Sequence, residues 1–255
     1  MRQNPTCAEL RGGSCVKISG ASGSAFMEQF LTSAIRCYYE IELPRRSKSQ
    51  KLWPLLIALH GYQGDKDSMM RVARRIANGN MVVISLQGPN QFFANYGRDN
   101  FIAPKDHRVG FGWGTTYKMQ ESVALHHRNI RALIDVAVRK YRVARSQVFL
   151  LAFSQSCTYN YRFIFTHPGA VRGCVAVCGG IPGDWSENPN YRHTRSHVLH
   201  IAATNDIWYS PEKNLEFRGK LAERAASLDF RFYKSRHRFP RAAIPHIRKW
   251  IEEHH

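Results

Sequence analysis

The segment that most constrains this chain is Gln147-Val148-Phe149-Leu150-Leu151-Ala152-Phe153-Ser154-Gln155-Ser156-Cys157. An apolar strand stops at a serine between small residues, and a helix is expected directly after it. This is the sequence form of a nucleophile elbow, the sharp strand-to-helix turn that lifts one side chain above a parallel sheet. Strand and helix approach so closely there that the residues two before and two after the serine must be small. Ala152 and Ser156 meet that size requirement, although glycine is usual at both positions. The competing reading of Ser154 is an ordinary helix-capping serine.

The rest of the chain alternates strands and helices. Arg36 to Leu43 alternates with Cys37, Tyr39 and Ile41 on one face, which predicts a strand. Leu55 to Leu59 reads as a strand buried on both faces. The predicted series continues with a helix over 66–78, a strand over 81–86 and a long helix from about Met119. That helix carries the stripe Ile130, Leu133, Ile134, Ala137, Val138 and Tyr141. Strands are expected at Gly173 to Val177, Val198 to Ala203 and Phe230 to Tyr233. Ser210-Pro211 opens a further helix, and Ala242 to Glu253 closes the chain. Such alternation implies right-handed crossovers and a mostly parallel sheet covered by helices on both faces. Residues 26–255 read as one α/β domain, preceded by a flexible Gly- and Ser-rich segment over 1–25. Gln87 to Tyr117 reads as a long irregular loop rich in aromatics (Phe92, Phe93, Tyr96, Phe101, Phe111, Trp113), the kind that forms lids or binding loops.

Composition narrows the function classes. No apolar stretch approaches the ~20 residues needed to cross a bilayer, and the polar amino terminus lacks the apolar run of a signal peptide. A cytoplasmic protein is the expectation. The six cysteines form no CxxC pair, and no second half of a zinc site accompanies them. Cys174 and Cys178 read as buried small residues, while pairing among Cys7, Cys15 and Cys37 stays open. The 37 Lys and Arg against 19 Asp and Glu give a net charge of +18, which attracts anionic surfaces weakly. The basic residues are scattered, and no nucleic-acid recognition pattern accompanies them, so no specific nucleic-acid partner is expected.

A serine at an elbow needs a base, an acid and an oxyanion hole. His237 lies just beyond the last strand and is the candidate base. Asp206, on the loop after the strand ending at Ala203, is the candidate acid, with Asp184 as competitor. The backbone amides of Gln155 and Tyr62 are the candidate oxyanion donors. His60 reads as structural. Trp113, Trp208 and Tyr209 are expected to wall the substrate site.

Trp53 to Gly61, Phe153-Ser154-Gln155, Asn205-Asp206 and His237-Arg238-Phe239-Pro240 resemble the phospholipase/carboxylesterase family of α/β-hydrolases, from about Arg36 to Trp250. The order Ser154, Asp206, His237 is that of the α/β-hydrolases. The resemblance implies a serine carboxylesterase that needs no metal or organic cofactor and often acts on small molecules such as short acyl esters or lysophospholipids. The aromatic loop suits short-chain or aryl carboxylic esters, cleaved through an acyl-enzyme. It maps the triad onto Ser154, Asp206 and His237, and the oxyanion positions onto Tyr62 and Gln155. The chain departs from the family pattern at both elbow flanks, in the cations Arg236 and Arg238 around His237, and in the bulk of Tyr62-Gln63. A second reading is a catalytically silent protein of this fold that binds a hydrophobic or anionic ligand.

Overall fold

The computed structural model describes residues 28–45, 52–94 and 108–255. Two units separate, Met1–Ile35 and Arg36–His255. In the first, the described residues 28–35 form no helix or strand. The expected flexible segment over 1–25 lies outside the described residues, as do Cys7, Cys15, Tyr96 and Phe101. Cys37 is a free thiol.

The second unit is built on a seven-stranded sheet in the order β1-β3-β2-β6-β7-β8-β9. Its strands are β1 (Tyr39–Glu42), β2 (Trp53–Leu59), β3 (Val82–Leu86), β6 (Val143–Phe153), β7 (Gly173–Val177), β8 (His197–Ala203) and β9 (Ser227–Tyr233). Only β1 pairs antiparallel; the other neighbours run parallel. The apolar runs sit in the middle: every residue of β2, β3 and β7 is buried, as parallel strands covered on both faces require.

Among the described residues, five α-helices cover the sheet: α1 (Lys66–Ala77), α2 (Met119–Lys140), α3 (Gln155–Thr166), α4 (Pro211–Ala222) and α5 (Ile244–His254). Met69, Ala73 and Ile76 of α1 share a core cluster with Ile247 and Trp250 of α5 on one face. Ile130 and Leu133 of α2, Tyr161 and Phe163 of α3, and Phe217 of α4 form the core on the other. Local chemistry sets the boundaries. Asp65 caps α1 by accepting the Ser68 amide at 2.6 Å, and Asn78 closes it in the left-handed region with φ 48°. Ser210 caps α4 with Pro211 in the first turn.

The stretch over 87–117 is not wholly irregular. β4 (Asn90–Phe93) and β5 (Val109–Gly112) pair antiparallel in a separate two-stranded sheet. The closing helix also differs at its start, where Arg241–Ala243 is a 3-10 turn before α5. No described helix is long and apolar enough to cross a membrane.

Chain order reverses between β2 and β6. After β2 the chain moves outward to β3; after β6 it moves the other way through β7, β8 and β9. Loops leaving the carboxyl ends of β2 and β6 therefore diverge to opposite faces and leave a crevice, the usual ligand position in doubly wound sheets. Ser154 and the His60–Gly64 loop both stand there.

Candidate active site

β6 delivers Ser154 on strained backbone. Its φ of 56° and ψ of −117° lie outside the regions open to most L-residues, a conformation that costs roughly 1–3 kcal/mol. The surroundings hold it. The Ser154 amide donates to the Val177 carbonyl at 2.9 Å, and five fully buried residues, Val148 to Ala152, anchor the strand. A Cβ on Gly179 would stand 2.4 Å from Cys157 Cβ and 2.6 Å from the Ser154 carbonyl oxygen, so only glycine lets β7's continuation pass the elbow. Ser154 makes no side-chain cap to α3. The helix-capping alternative therefore does not describe it.

Instead, Ser154 Oγ lies 2.8 Å from His237 Nε2. His237 Nδ1 lies 2.8 Å from Asp206 Oδ2. The other carboxylate oxygen, Oδ1, accepts the amides of Trp208 at 2.8 Å and Tyr209 at 3.2 Å. With its side chain 1% exposed, Asp206 is locked by three hydrogen bonds into one orientation. That orientation favours the imidazole tautomer with hydrogen on Nδ1 and a free lone pair on Nε2 facing the serine. Phe153 packs against the imidazole with ring centroids 5.4 Å apart. Asp184 is engaged elsewhere: it pairs with Arg162 at 2.7 Å and accepts from Asn188 at 3.0 Å.

The β2–α1 loop lies against the elbow. A Cβ on Gly61 would meet Phe153 Cδ1 at 2.8 Å and Ser154 Cβ at 3.1 Å. Tyr62 follows, its ring half-exposed and stacked on Phe92 at 4.8 Å. Gln155 opens α3, where first-turn amides lack helical acceptors. Among the described residues, no hydrogen bond uses the backbone amide of Tyr62 or of Gln155. Two free amides thus flank the serine.

His60 is a brace. Its ring is 2% exposed, with Nδ1 2.7 Å from the Gly61 carbonyl. Nε2 accepts the Gly88 amide at 2.9 Å and lies 3.0 Å from Gln87 Nε2. Burial lowers its pKa, and the Gly61 carbonyl opposes that shift. The neutral ring ties the start of the β2–α1 loop to the end of β3.

The three aromatics predicted at the site occupy different levels. Trp113 is 1% exposed and its Nε1 donates to the His60 carbonyl at 2.8 Å, which ties the indole into the core at the start of the β2–α1 loop. Trp208 is two-thirds exposed on the Asp206 loop. Tyr209 lies between them in exposure, its ring centroid 6.2 Å from that of His237.

Two contacts had no signal in the sequence. The Gln155 side chain accepts the Trp113 amide through Oε1 at 3.0 Å and donates from Nε2 to the Gly114 carbonyl at 2.9 Å. It acts as a strand-like clamp from the elbow helix to the end of β5. Ser156, where glycine is usual, turns its hydroxyl to the Leu59 carbonyl at 2.9 Å and accepts the Phe153 amide at 3.1 Å.

A doubly wound, mostly parallel sheet with a serine at the strand-to-helix turn defines an α/β-hydrolase fold. The family profile described as phospholipase/carboxylesterase matches residues 45–255, and the chain belongs to that family of esterases. The Bacillus cereus carboxylesterase structure is similar with a TM-score of 0.65 at 15% identity, covering 86% of this chain and 95% of that one. A Mesorhizobium loti carboxylesterase gives a TM-score of 0.61 at 20% identity over 78% and 88% of the two chains. Esterase PE8 gives 0.65 at 15% identity over 87% and 100%. No curated protein sequence matches the chain.

Proposed function

We propose that this chain is a serine carboxylesterase that hydrolyses short-chain or aryl carboxylic esters through an acyl-enzyme. The observation that carries the reading is the unbroken relay of two 2.8 Å contacts from Ser154 Oγ through His237 to Asp206. Ser154 Oγ attacks the ester carbonyl as His237 Nε2 takes its proton. Negative charge gathers on the carbonyl oxygen, and the amides of Tyr62 and Gln155 stabilise it. The tetrahedral intermediate then expels the alkoxide, which leaves with the proton held by His237. A water repeats the sequence on the acyl-enzyme: it gives its proton to His237, and the acid departs as the proton returns to Ser154. The chemistry asks for no metal or organic cofactor.

The surroundings support small, apolar acyl groups. A cavity of about 210 Å³ is lined by Gly61, Tyr62, Met69, Val72, Phe153 and Phe239, beside the elbow. Trp208 and Tyr209 rim the site.

The test is exposure of the protein and its Ser154→Ala variant to a fluorophosphonate probe, with intact masses recorded. One adduct on the parent and none on the variant is expected, together with turnover of p-nitrophenyl acetate by the parent alone. A folded parent that takes no adduct would overturn the reading.

A further inference from the structure

The loop that carries Asp206 has little of its own to hold it in place. Asp206 Oδ1 depends on the amides of Trp208 and Tyr209, at 2.8 and 3.2 Å. Yet the side chains of Ile207 and Trp208 are strongly exposed and bury little apolar surface that could fix this turn. At its start the loop is tied down by backbone. The Thr204 amide donates to the Tyr233 carbonyl at 3.0 Å and the Asn205 amide to the Ser235 carbonyl at 2.9 Å.

At its end a side chain does the holding. Asn214, on α4 and 1% exposed, donates from Nδ2 to the carbonyls of Tyr209 at 2.9 Å and Ser210 at 3.0 Å. Two carbonyl partners identify that atom as the nitrogen, so Oδ1 is the atom turned toward His200 Nε2, 3.3 Å away. An oxygen there needs a donor, which places the His200 hydrogen on Nε2. Nδ1 then accepts, and the Tyr161 hydroxyl donates to it at 2.8 Å. Burial lowers the His200 pKa to about 4, with the Asn214 side chain opposing. The ring is therefore neutral, as this pattern requires. Its plane is fixed as well: Phe230 stacks on it at 4.8 Å and 3°, and Tyr161 lies parallel at 6.2 Å and 5°.

Hydrogens thus run one way from Tyr161 on α3, through His200 on β8 and Asn214 on α4, to the Tyr209 carbonyl. Tyr161 and His200 are fully buried. A satisfied buried chain of this kind adds little net stability over apolar packing, but it rigidifies the groups at its end. Here the end is the residue whose amide holds Asp206.

We propose that Asn214 and His200 are positioning residues for the ester-cleaving relay, acting through Tyr209 to hold Asp206 against His237. The proposal rests on the serine esterase reading above. Neither residue works on the reacting atoms; each sets the angle from which Asp206 orients the imidazole.

The test is a double-mutant cycle on p-nitrophenyl acetate. In the parent, Asn214→Leu should lower kcat roughly tenfold, the factor that loss of one buried hydrogen bond corresponds to, and leave KM nearly unchanged. In an Asp206→Asn background the same substitution should change kcat by less than about twofold, because the group it acts through is already gone. Equal losses in the two backgrounds would show a general disturbance and overturn the proposal. His200→Leu should repeat the loss. His200→Gln supplies a donor for Asn214 and an acceptor for Tyr161, so it should recover most of the activity; a glutamine no better than leucine would also overturn it. This pair carries the decision where Asn214→Leu does not fold. A readout without turnover comes from proton NMR. A far-downfield resonance present in the parent and lost in Asp206→Asn reports His237 Nδ1–H. It should move or broaden in Asn214→Leu and His200→Leu and return in His200→Gln. An unchanged resonance in the folded leucine variants would sink the positioning role whatever the protein hydrolyses. A responsive resonance in a parent that takes no fluorophosphonate adduct would sink the esterase reading alone.

Discussion

Ser156 Oγ donates to the carbonyl of Leu59 at 2.9 Å, a bond from the first turn of α3 to the last residue of β2. It joins the two strand ends that border the crevice. The same hydroxyl accepts the Phe153 amide at 3.1 Å, immediately before the strained serine. The departure from glycine at this flank therefore carries its own compensation: a hydroxyl small enough for the elbow and polar enough to serve both strands.

Replacing Ser156 by glycine should destabilise the fold although the substitution restores the usual elbow residue. The buried Leu59 carbonyl and the partly buried Phe153 amide would lose a partner, at about 1–3 kcal/mol for a buried group left unsatisfied. For a chain of this size each kcal/mol shifts the thermal midpoint by about 2–4 °C. A calorimetric midpoint equal to or above that of the parent would remove Ser156 from this role.

The proposed relay makes a sharper demand at Asp206. In an Asp206→Asn variant the amide oxygen keeps the Trp208 and Tyr209 amides, and the new Nδ2 then faces His237 Nδ1. That forces the other tautomer, with a hydrogen on Nε2 aimed at Ser154, and no lone pair is left to take the serine proton. The expected loss in kcat is on the order of 10⁴, the cost of the wrong tautomer in serine proteases, with thermal stability little changed. Steady-state kinetics beside a melting curve checks both parts, and a kcat within tenfold of the parent would dissolve the relay.

Much of this arrangement was legible in the sequence because burial and chain order leave strong marks. The continuous apolar runs at Leu55 to Leu59 and Gly173 to Val177 fall inside β2 and coincide with β7. The β4–β5 ladder was hidden for a physical reason. Asn90–Phe93 is largely exposed, Gly110 and Gly112 interrupt β5, and its partner strand is about 20 residues away in sequence. Asn90–Phe93 carries no alternating apolar pattern, and the alternation of Val109 and Phe111 with glycine spans only four residues. The level of Trp113 was likewise invisible, because it depends on its indole finding the His60 carbonyl across the fold. The Gln155 clamp had no signal at all, since a glutamine in a first helical turn is unremarkable by pattern.

His60 shows how a structural histidine can set functional geometry. Substitution His60→Phe removes the acceptor for the Gly88 amide and the partner of the Gly61 carbonyl. The expected cost is about 1–3 kcal/mol for each buried group left unpaired. Because Gly61 stands against Ser154, the loop should shift relative to the serine. Fluorophosphonate labelling should then slow even at temperatures where the variant is folded. Labelling at the parent rate would confine His60 to stability alone.

Acid should weaken this fold through His126. The ring is 2% exposed, and among the described residues neither nitrogen has a hydrogen-bond partner. Burial, with the neighbouring His127 adding to it and the Asn160 side chain opposing, lowers its pKa from 6.5 to about 3. In the unfolded chain the same imidazole titrates near 6.5. Above that pH both states are neutral and the group is silent. Between 6.5 and about 3 only the unfolded chain binds the proton, so stability falls with pH, by up to about 1.4 kcal/mol per pH unit. His126→Leu replaces an unpaired polar ring with an apolar side chain between Trp113 and Tyr159. At neutral pH it should be neutral or stabilising, and below 6.5 it should flatten the decline. His127 and His200, both lowered to about 4 by burial, retain the remaining slope. Urea unfolding of parent and variant at pH 7, 6 and 5 measures the difference, and parallel losses in the two proteins would clear His126 of the acid sensitivity.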